Sequence, residues 1–241
     1  MKRGLLLLLF AALACRENTA PEGVTTTTAS DTAPATAPVP DTAPATNTGG
    51  TPPLVAGPKL VPVDEGAKDA EFARYRNDLA DAILRRNTEG VLALIDPNMR
   101  TSFGGDGGTD AFRTLLAKKE TWDQLQFVIS NGGKFRGEGD ERSFWAPYVY
   151  AAWPEGFDAF QSLAITSMRV PMRESADPNS RVVATLSYDI VTRGAAEGQI
   201  STSDGKAGYV DPRTLWSPVG HRAGFSKKGG RWRMDAWVAG D

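Results

Sequence analysis

The chain has 241 residues, of which 41% are hydrophobic and 23% charged, a balance typical of a globular protein and not of collagen or a wholly disordered chain. Its 27 basic and 29 acidic residues give a formal net charge of −2, so there is no basic excess that would indicate a nucleic acid partner. With one cysteine and one histidine it can form neither an internal disulfide nor a common zinc site, and we expect no cofactor and no metal.

The first fourteen residues have the pattern of an export signal. Lys2 and Arg3 precede an apolar run that begins at Leu5 and leads into small residues, which predicts a secretory signal peptide over residues 1–14. The run is about half of the roughly twenty residues that a membrane-spanning helix needs. A permanent transmembrane anchor is therefore not expected.

The residues that follow indicate a different anchor. Ala12-Leu13-Ala14-Cys15 resembles the lipobox of bacterial lipoproteins, in which the cysteine is acylated and becomes the new N-terminus. The resemblance implies lipidation at Cys15 and a membrane-anchored location in the cell envelope, and Arg16 favours the outer membrane if the organism has two. Ala12-Leu13-Ala14 also satisfies the rule for ordinary signal peptidase, which would release a soluble secreted protein.

Residues 15–57 are almost entirely Thr, Ala, Pro, Asp and Gly, and Asp31–Thr36 is repeated as Asp41–Thr46. Such a segment cannot bury enough apolar surface to offset its chain entropy, so it is predicted to be a disordered tether. A glycosylated or wall-spanning stalk is the alternative interpretation.

Residues 58–162 are predicted to form a helical module. Apolar residues at three- and four-residue spacing predict an amphipathic helix over about 69–86. Three more helices are predicted from their start signals. These signals are Thr88, for a short helix closed by Asp96-Pro97; Thr109, after the glycine cluster Gly104–Gly108; and a Thr121–Gln124 capping box.

An extended aromatic segment is predicted over residues 143–153. It carries Phe144, Trp145, Tyr148, Tyr150 and Trp153. Flat rings on an extended segment suit stacking on sugars or gripping a peptide. The alternative is that they pack the helical module onto the part of the chain that follows.

From residue 163 onward, short runs of β-forming residues alternate with turn residues, as in a small barrel. Residues 163–218 resemble a bacterial SH3 (SH3b) domain. The resemblance is carried by Val170–Ser175, in the place of N-V-R-x-x-P, by Val182–Leu186, by Asp204–Val210, matching D-G-x-x-G-W-V, and by Leu215. Gln199 or Ile200 stands where many members carry a tryptophan.

The SH3b resemblance implies a small β-barrel that recognises a peptidoglycan stem peptide, a proline-rich segment or another envelope protein. Within this segment Tyr188, Tyr209 and Trp216 are the predicted ligand-binding residues.

Residues 69–116 weakly resemble the start of an NTF2-like fold, and residues 219–241 resemble its closing hairpin with Gly229-Gly230 as the turn. Alternation predicts that Trp232, Met234 and Ala236 share one face. The other face is then formed by Arg231, Arg233, Asp235 and Trp237. Together, the two resemblances imply that the SH3-like segment interrupts or caps the helical module.

No catalytic constellation is predicted. The glycine cluster at 104–108 lacks the Walker lysine, and we interpret it as a turn and helix cap. His221 has no G-x-S-x-G nucleophile elbow to serve, and Glu155 with Asp158 fits a solvated loop better than an acid and base pair.

We therefore predict an α+β protein in which a helical module (58–162) packs on an SH3-like β-barrel (163–218) and is followed by a C-terminal hairpin (219–241). The predicted function is non-catalytic recognition of peptidoglycan peptides or an envelope protein partner by a lipid-anchored protein. The alternative is an NTF2-like small-molecule pocket protein or enzyme, and a structural role in an envelope assembly is a third possibility.

Overall fold

The computed structural model describes residues 54–105 and 107–240. The predicted signal peptide, Cys15 and the tether up to residue 53 lie outside these residues. Within the described ranges, no helix combines the length and the apolar character needed to cross a bilayer.

The secondary structure of the described residues is mixed. The α-helices are α1 (Ala70–Leu84), α2 (Thr88–Leu92), α3 (Gly108–Leu116), α4 (Lys119–Ser130) and α5 (Tyr148–Ala151). The strands are β1 (Ile95–Arg100), β2 (Lys134–Arg136), β3 (Ser143–Ala146), β4 (Ser162–Ile165), β5 (Val170–Arg173), β6 (Val182–Leu186), β7 (Ile190–Arg193), β8 (Gln199–Ser201), β9 (Ala207–Tyr209), β10 (Leu215–Trp216), β11 (Arg222–Lys228) and β12 (Arg231–Val238). The predicted α+β class is confirmed.

The first sheet has five strands in the order β1-β12-β11-β3-β2, with β1 parallel to β12 and the other pairs antiparallel. Its strands β3 and β11 are neighbours in space although residues 147–221 separate them in the chain. Strands β4 to β10 all lie within that interval. The helical module and the C-terminal hairpin therefore form one sheet together. The chain segment that forms the second sheet is inserted between its strands β3 and β11.

Helices α1, α3 and α4 cover one face of the five-stranded sheet and enclose an aromatic core. Helix α1 forms because its buried residues Phe72, Tyr75, Leu79 and Ile83 recur every three or four positions. Asp69 caps it by accepting hydrogen bonds from two backbone N–H groups of the first turn. The predicted helix over 69–86 is confirmed.

The ring of Phe72 is the centre of this core. Ring centroids of five other aromatic residues lie between 4.4 and 6.1 Å from it. They belong to Tyr75, Phe135, Phe144, Phe225 and Trp232.

The second sheet has seven strands in the order β10-β4-β7-β8-β9-β5-β6. Its edges β10 and β6 do not pair with each other among the described residues, so the ladder is open and the predicted closed barrel is not confirmed. Its core is aliphatic and includes Leu163, Ile165, Met172 and Ile200.

Three helix starts differ from those the sequence predicts. Asn87, not Thr88, caps α2, because the Asn87 side chain accepts from the N–H of Gly90. Helix α4 begins at Lys119, and Thr121 is buried inside it, so the capping box is wrong. Helix α3 has Gly107 rather than Thr109 at its N-cap position.

The glycine cluster before α3 serves a close backbone approach. A Cβ atom on Gly107 would lie 2.3 Å from the carbonyl oxygen of Met99, so only glycine fits there. Its neighbour Met99 belongs to β1, a strand that the sequence pattern missed because Asp96-Pro97 indicates a helix end.

The chain before the helical module is attached to the second sheet through a segment that we name the strap, residues 54–60. Val55 is buried in the aliphatic core, and its N–H donates to the carbonyl of Thr185 on the edge strand β6. The Lys59 ammonium lies 2.6 Å from the carboxylate of Asp189, which is 1% exposed. The predicted tether boundary at residue 57 therefore falls inside an ordered segment.

Candidate functional site

A cleft of about 630 Å³ lies on the seven-stranded sheet, and we name it the β5 cleft. Strand β5 supplies its floor, the turn after β5 supplies one wall, and the segment after β9 supplies the other. Its lining residues are Ser167, Met168, Arg169, Val170, Pro171, Arg173, Ser175, Ala176, Pro178, Glu197, Tyr209, Val210, Asp211, Pro212 and Thr214.

The turn after β5 is held by its own polar groups. The Asp177 carboxylate accepts from the N–H of Asn179, and the Asp177 backbone carbonyl accepts from the N–H of Ser180. The Arg173 guanidinium donates to the carbonyl of Ser180 at 2.7 Å. Such Asx-type bonding fixes a turn of polar residues without any core beneath it. This wall of the cleft is therefore preformed.

The opposite wall is a short 3₁₀ turn at Pro212–Thr214. Asp211 caps it by accepting from the N–H of Arg213 and also pairs with the Arg213 guanidinium. That hydrogen-bonded guanidinium lowers the pKa of Asp211, so the carboxylate stays charged near neutral pH. Tyr209 precedes the turn and presents a half-buried ring to the cleft.

Three charged side chains of the cleft, those of Arg169, Arg173 and Glu197, have no ion-pair partner among the described residues. Arg169 and Glu197 are both exposed and lie on the cleft lining. Asp211, by contrast, is neutralised by Arg213. The cleft therefore combines an apolar, proline-rich surface and a tyrosine ring with two cations and one anion that have no ion-pair partner among the described residues.

The three predicted ligand-binding residues do not all line this cleft. Tyr209 does, but Tyr188 and Trp216 are absent from its lining. Tyr188 lies in a left-handed turn, and its carbonyl accepts from the N–H of Leu60 in the strap. The indole of Trp216 stacks on Phe127 of α4 with ring centroids 3.8 Å apart.

Trp216 belongs to a junction between the two sheets. Tyr148 and Val149 of α5 pack there with Leu60, Ala164 and Ile190, and Trp153 and Trp216 lie against them. Burial raises the pKa of Tyr148 to about 12, and its hydroxyl has no hydrogen-bond partner among the described residues. For Tyr148 and Trp153, the structure favours the packing interpretation over ligand stacking.

Of the other aromatic residues of this segment, Phe144 and Trp145 belong to β3 of the five-stranded sheet and Tyr150 belongs to α5. Phe144 is fully buried in the core of that sheet, whereas Trp145 and Tyr150 are half-buried on the opposite side of β3 or beyond its end. The interior in which a small-molecule pocket would lie is filled with rings. We therefore propose no pocket there.

The remaining candidate chemistry has structural explanations. His221 is half-buried and stacks on Trp237 at 5.0 Å, and burial together with the Arg222 charge lowers its pKa. Asp158 is exposed and accepts from the N–H groups of Phe160 and Gln161 at a turn. Within residues 54–105 and 107–240, no group of three His, Cys, Asp or Glu side chains could hold a metal ion.

Sequence reasoning missed Arg169 and Glu197 as cleft residues. Both lie between β-strands, in positions that read as ordinary turns. In the structure Arg169 has a positive φ of 55°, which is unusual for a bulky residue. This backbone angle cannot be recognised from the sequence.

No protein-family profile matches the chain, and no curated protein sequence matches it. Solved structures similar to it are NTF2-like proteins. One of them has a name that begins Rd1NTF2_05 and continues with five substitutions. It shares 10% identity over 70% of this chain and 95% of its own, with a TM-score of 0.28. Another, an NTF2-like protein with a cystatin-like fold from Novosphingobium aromaticivorans, shares 12% identity over 72% of this chain and 80% of its own, with a TM-score of 0.29. At these TM-scores we transfer no function from either.

Proposed function

We propose that this is a non-catalytic, lipid-anchored protein of the cell envelope whose seven-stranded sheet is an SH3b-like module that binds a short peptide. The observation that carries the proposal is the β5 cleft, with Tyr209, an apolar proline-rich surface and the unpaired charges of Arg169 and Glu197. The SH3b resemblance and the lipobox at Cys15 rest on the sequence.

A peptidoglycan stem peptide suits this chemistry. It is short and extended, and it carries free carboxylates and, in many forms, a free amine. Arg169 can receive a carboxylate and Glu197 an amine, while Tyr209 packs on the backbone between them. A segment of an envelope protein with the same pattern of charges is the second type of partner.

Sedimentation with purified sacculi tests the proposal. Tyr209→Ala and Arg169→Glu are each expected to lower the bound fraction of the full chain at least tenfold. Tyr188→Ala and Arg74→Glu are the matched controls, because Tyr188 is a half-buried tyrosine outside the cleft and Arg74 is an exposed arginine of α1. Equal retention of all five proteins, or retention no greater than that of serum albumin, would refute binding through the cleft.

The anchor needs its own experiment. Cys15→Ala should move the exported chain from the detergent phase to the aqueous phase and abolish incorporation of labelled palmitate. Unchanged partitioning would remove the membrane from the proposal and would leave the cleft untouched.

A further inference from the structure

Arg222 is a buried cation whose charge is not matched by a carboxylate. It is 5% exposed, and its guanidinium donates to the carbonyl of Gly240 at 2.8 Å and to that of Gly220 at 3.5 Å. It has no ion pair among the described residues, whereas the equally buried Asp189 has Lys59. A buried charge without a counter-ion is costly, so its presence requires an explanation.

A second arginine converges on the same place. The guanidinium carbons of Arg222 and Arg136 each lie 4.7 Å from the ring centroid of Tyr150. Arg136 is exposed, and its only polar partner in the described part of the chain is the Tyr150 hydroxyl at 3.3 Å. Two cations on one ring repel each other, and an anion between or beside them would relieve the repulsion.

A flat aromatic surface lies next to these cations. Trp145 pairs with Gly224 across β3 and β11, on the face of the sheet opposite the core residues Phe144 and Phe225. A Cβ atom on Gly224 would lie 2.9 to 3.1 Å from three atoms of the Trp145 six-membered ring. Because Gly224 has no side chain, the Trp145 indole can pack flat against β11 and present a ring face. The Tyr150 ring packs against the indole in a T-shaped arrangement, with the ring centroids 5.3 Å apart.

The charge of this face is mainly positive around Trp145. Side chains alternate along a strand, so the positions of β2, β3 and β11 that share the outer face with Trp145 are fixed by register. They carry Lys134, Arg136, Arg222 and Lys228, and Lys228 pairs with Asp235 of the neighbouring strand β12, a carboxylate that also accepts from the Ser226 hydroxyl. We name the group formed by Arg136, Trp145, Tyr150 and Arg222 the outer patch.

We propose that the outer patch binds an acidic saccharide, with a sugar ring on the face of Trp145 and its carboxylate on the exposed guanidinium of Arg136, near the buried positive charge of Arg222. Arginine matches the planar, two-oxygen geometry of a carboxylate, and a flat ring beside it matches the apolar face of a hexose. Lys227 and Glu71, which pair elsewhere on the module, take no part. This site is on the other sheet from the β5 cleft and does not depend on it.

Isothermal titration of the full chain with trigalacturonate tests the proposal, with maltotriose as the neutral sugar and triglutamate as the acidic ligand without a ring. Trigalacturonate is expected to bind at least tenfold more tightly than either. Arg136→Gln and Trp145→Ala should each weaken it at least tenfold, whereas Arg74→Gln and Phe160→Ala, at exposed positions elsewhere, should not. Failure to bind, equal binding of triglutamate, or an unaffected Arg136→Gln variant would overturn it.

Two further variants keep the result unambiguous. Asp106 and Asp241 lie outside the described residues, so Asp106→Asn and Asp241→Asn test whether the chain supplies its own counter-ion. If either lowers the Tm as much as Arg222→Gln, Arg222 has an internal partner and the proposal fails. Tyr209→Ala should bind trigalacturonate normally, which separates failure of this site from failure of the peptide cleft.

Discussion

The two sheets of this protein are stabilised by different side chains. The five-stranded sheet and its helices bury a cluster of aromatic rings around Phe72, whereas the buried core of the seven-stranded sheet contains no aromatic residue among the described positions. The rings of the second sheet lie instead at its surface or its junction, as Tyr209 and Trp216 show. Aromatic residues that a module does not bury in its own core can line a binding cleft or pack against the other module.

The largest expected effect is at the centre of the aromatic core. Phe72→Ala removes a fully buried ring that meets five others, and should lower the free energy of unfolding by about 3–5 kcal/mol. Urea unfolding followed by tryptophan fluorescence measures it. Phe160→Ala, at a ring that is 55% exposed, should stay within about 0.5 kcal/mol. Similar losses for both would contradict the packing described for this module.

The strap gives the next largest effect, on the other sheet. Lys59→Met leaves the buried Asp189 carboxylate without its cation, and because Lys59 is partly exposed we expect a loss of about 2–3 kcal/mol. Adding Asp189→Asn in the same chain should recover part of the loss, since the unpaired charge is then gone. A double variant that is less stable by the sum of both single losses would show that the two side chains do not interact.

The strap also contains a sharp internal contrast. Val55 is 5% exposed in the aliphatic core and Leu54, its neighbour, is 73% exposed. Val55→Ala should therefore cost about 1–2 kcal/mol and Leu54→Ala less than about 0.5 kcal/mol. If the costs were reversed or equal, the strap would not be part of the second sheet.

The smallest effect tests the cap of α1. Burial of Asp69 favours its neutral form, but the N–H groups of Phe72 and Glu71 outweigh it and hold the pKa of Asp69 below its ordinary 3.8. Its stabilisation is therefore complete above that value and is lost as the pH falls through the lowered pKa. Asp69→Ala should cost about 1 kcal/mol at pH 7, and the difference from wild type should shrink below about pH 4.

Asp78→Ala is the matched control on the same helix, because Asp78 is exposed and caps nothing. Unfolding curves between pH 3 and pH 7 should separate the two variants only at the upper end. A deficit of Asp69→Ala that persists unchanged at pH 3 would place its cause in something other than the charged cap.

Much of the fold was predictable because its signals are local. Helix α1 follows from the spacing of its apolar residues, and β12 from its alternation. Strand β1 was not predictable, since its parallel pairing joins Ile95 to Met234 across most of the chain. Trp237 was expected to face outward, but the pairing register shifts between Gly224 and Phe225, and Trp237 is buried beside Phe112.

The candidate site was only partly predictable for the same reason. Tyr188, Tyr209 and Trp216 are all residue types that are common in binding surfaces. The sequence alone does not show which of them lines the cleft. The stack of Trp216 on Phe127 joins residues from the two modules, and this tertiary contact holds the Trp216 indole outside the cleft lining. Insertion of the second sheet between β3 and β11 creates that contact.

The most direct test of peptide recognition is a titration of the ¹⁵N-labelled full chain with a soluble stem peptide, followed by amide chemical shifts. The proposed function predicts that the largest, saturable shifts fall on Arg169, Glu197 and Tyr209, and that Tyr209→Ala abolishes them. No shift at millimolar peptide, or shifts confined to the five-stranded sheet, would contradict it.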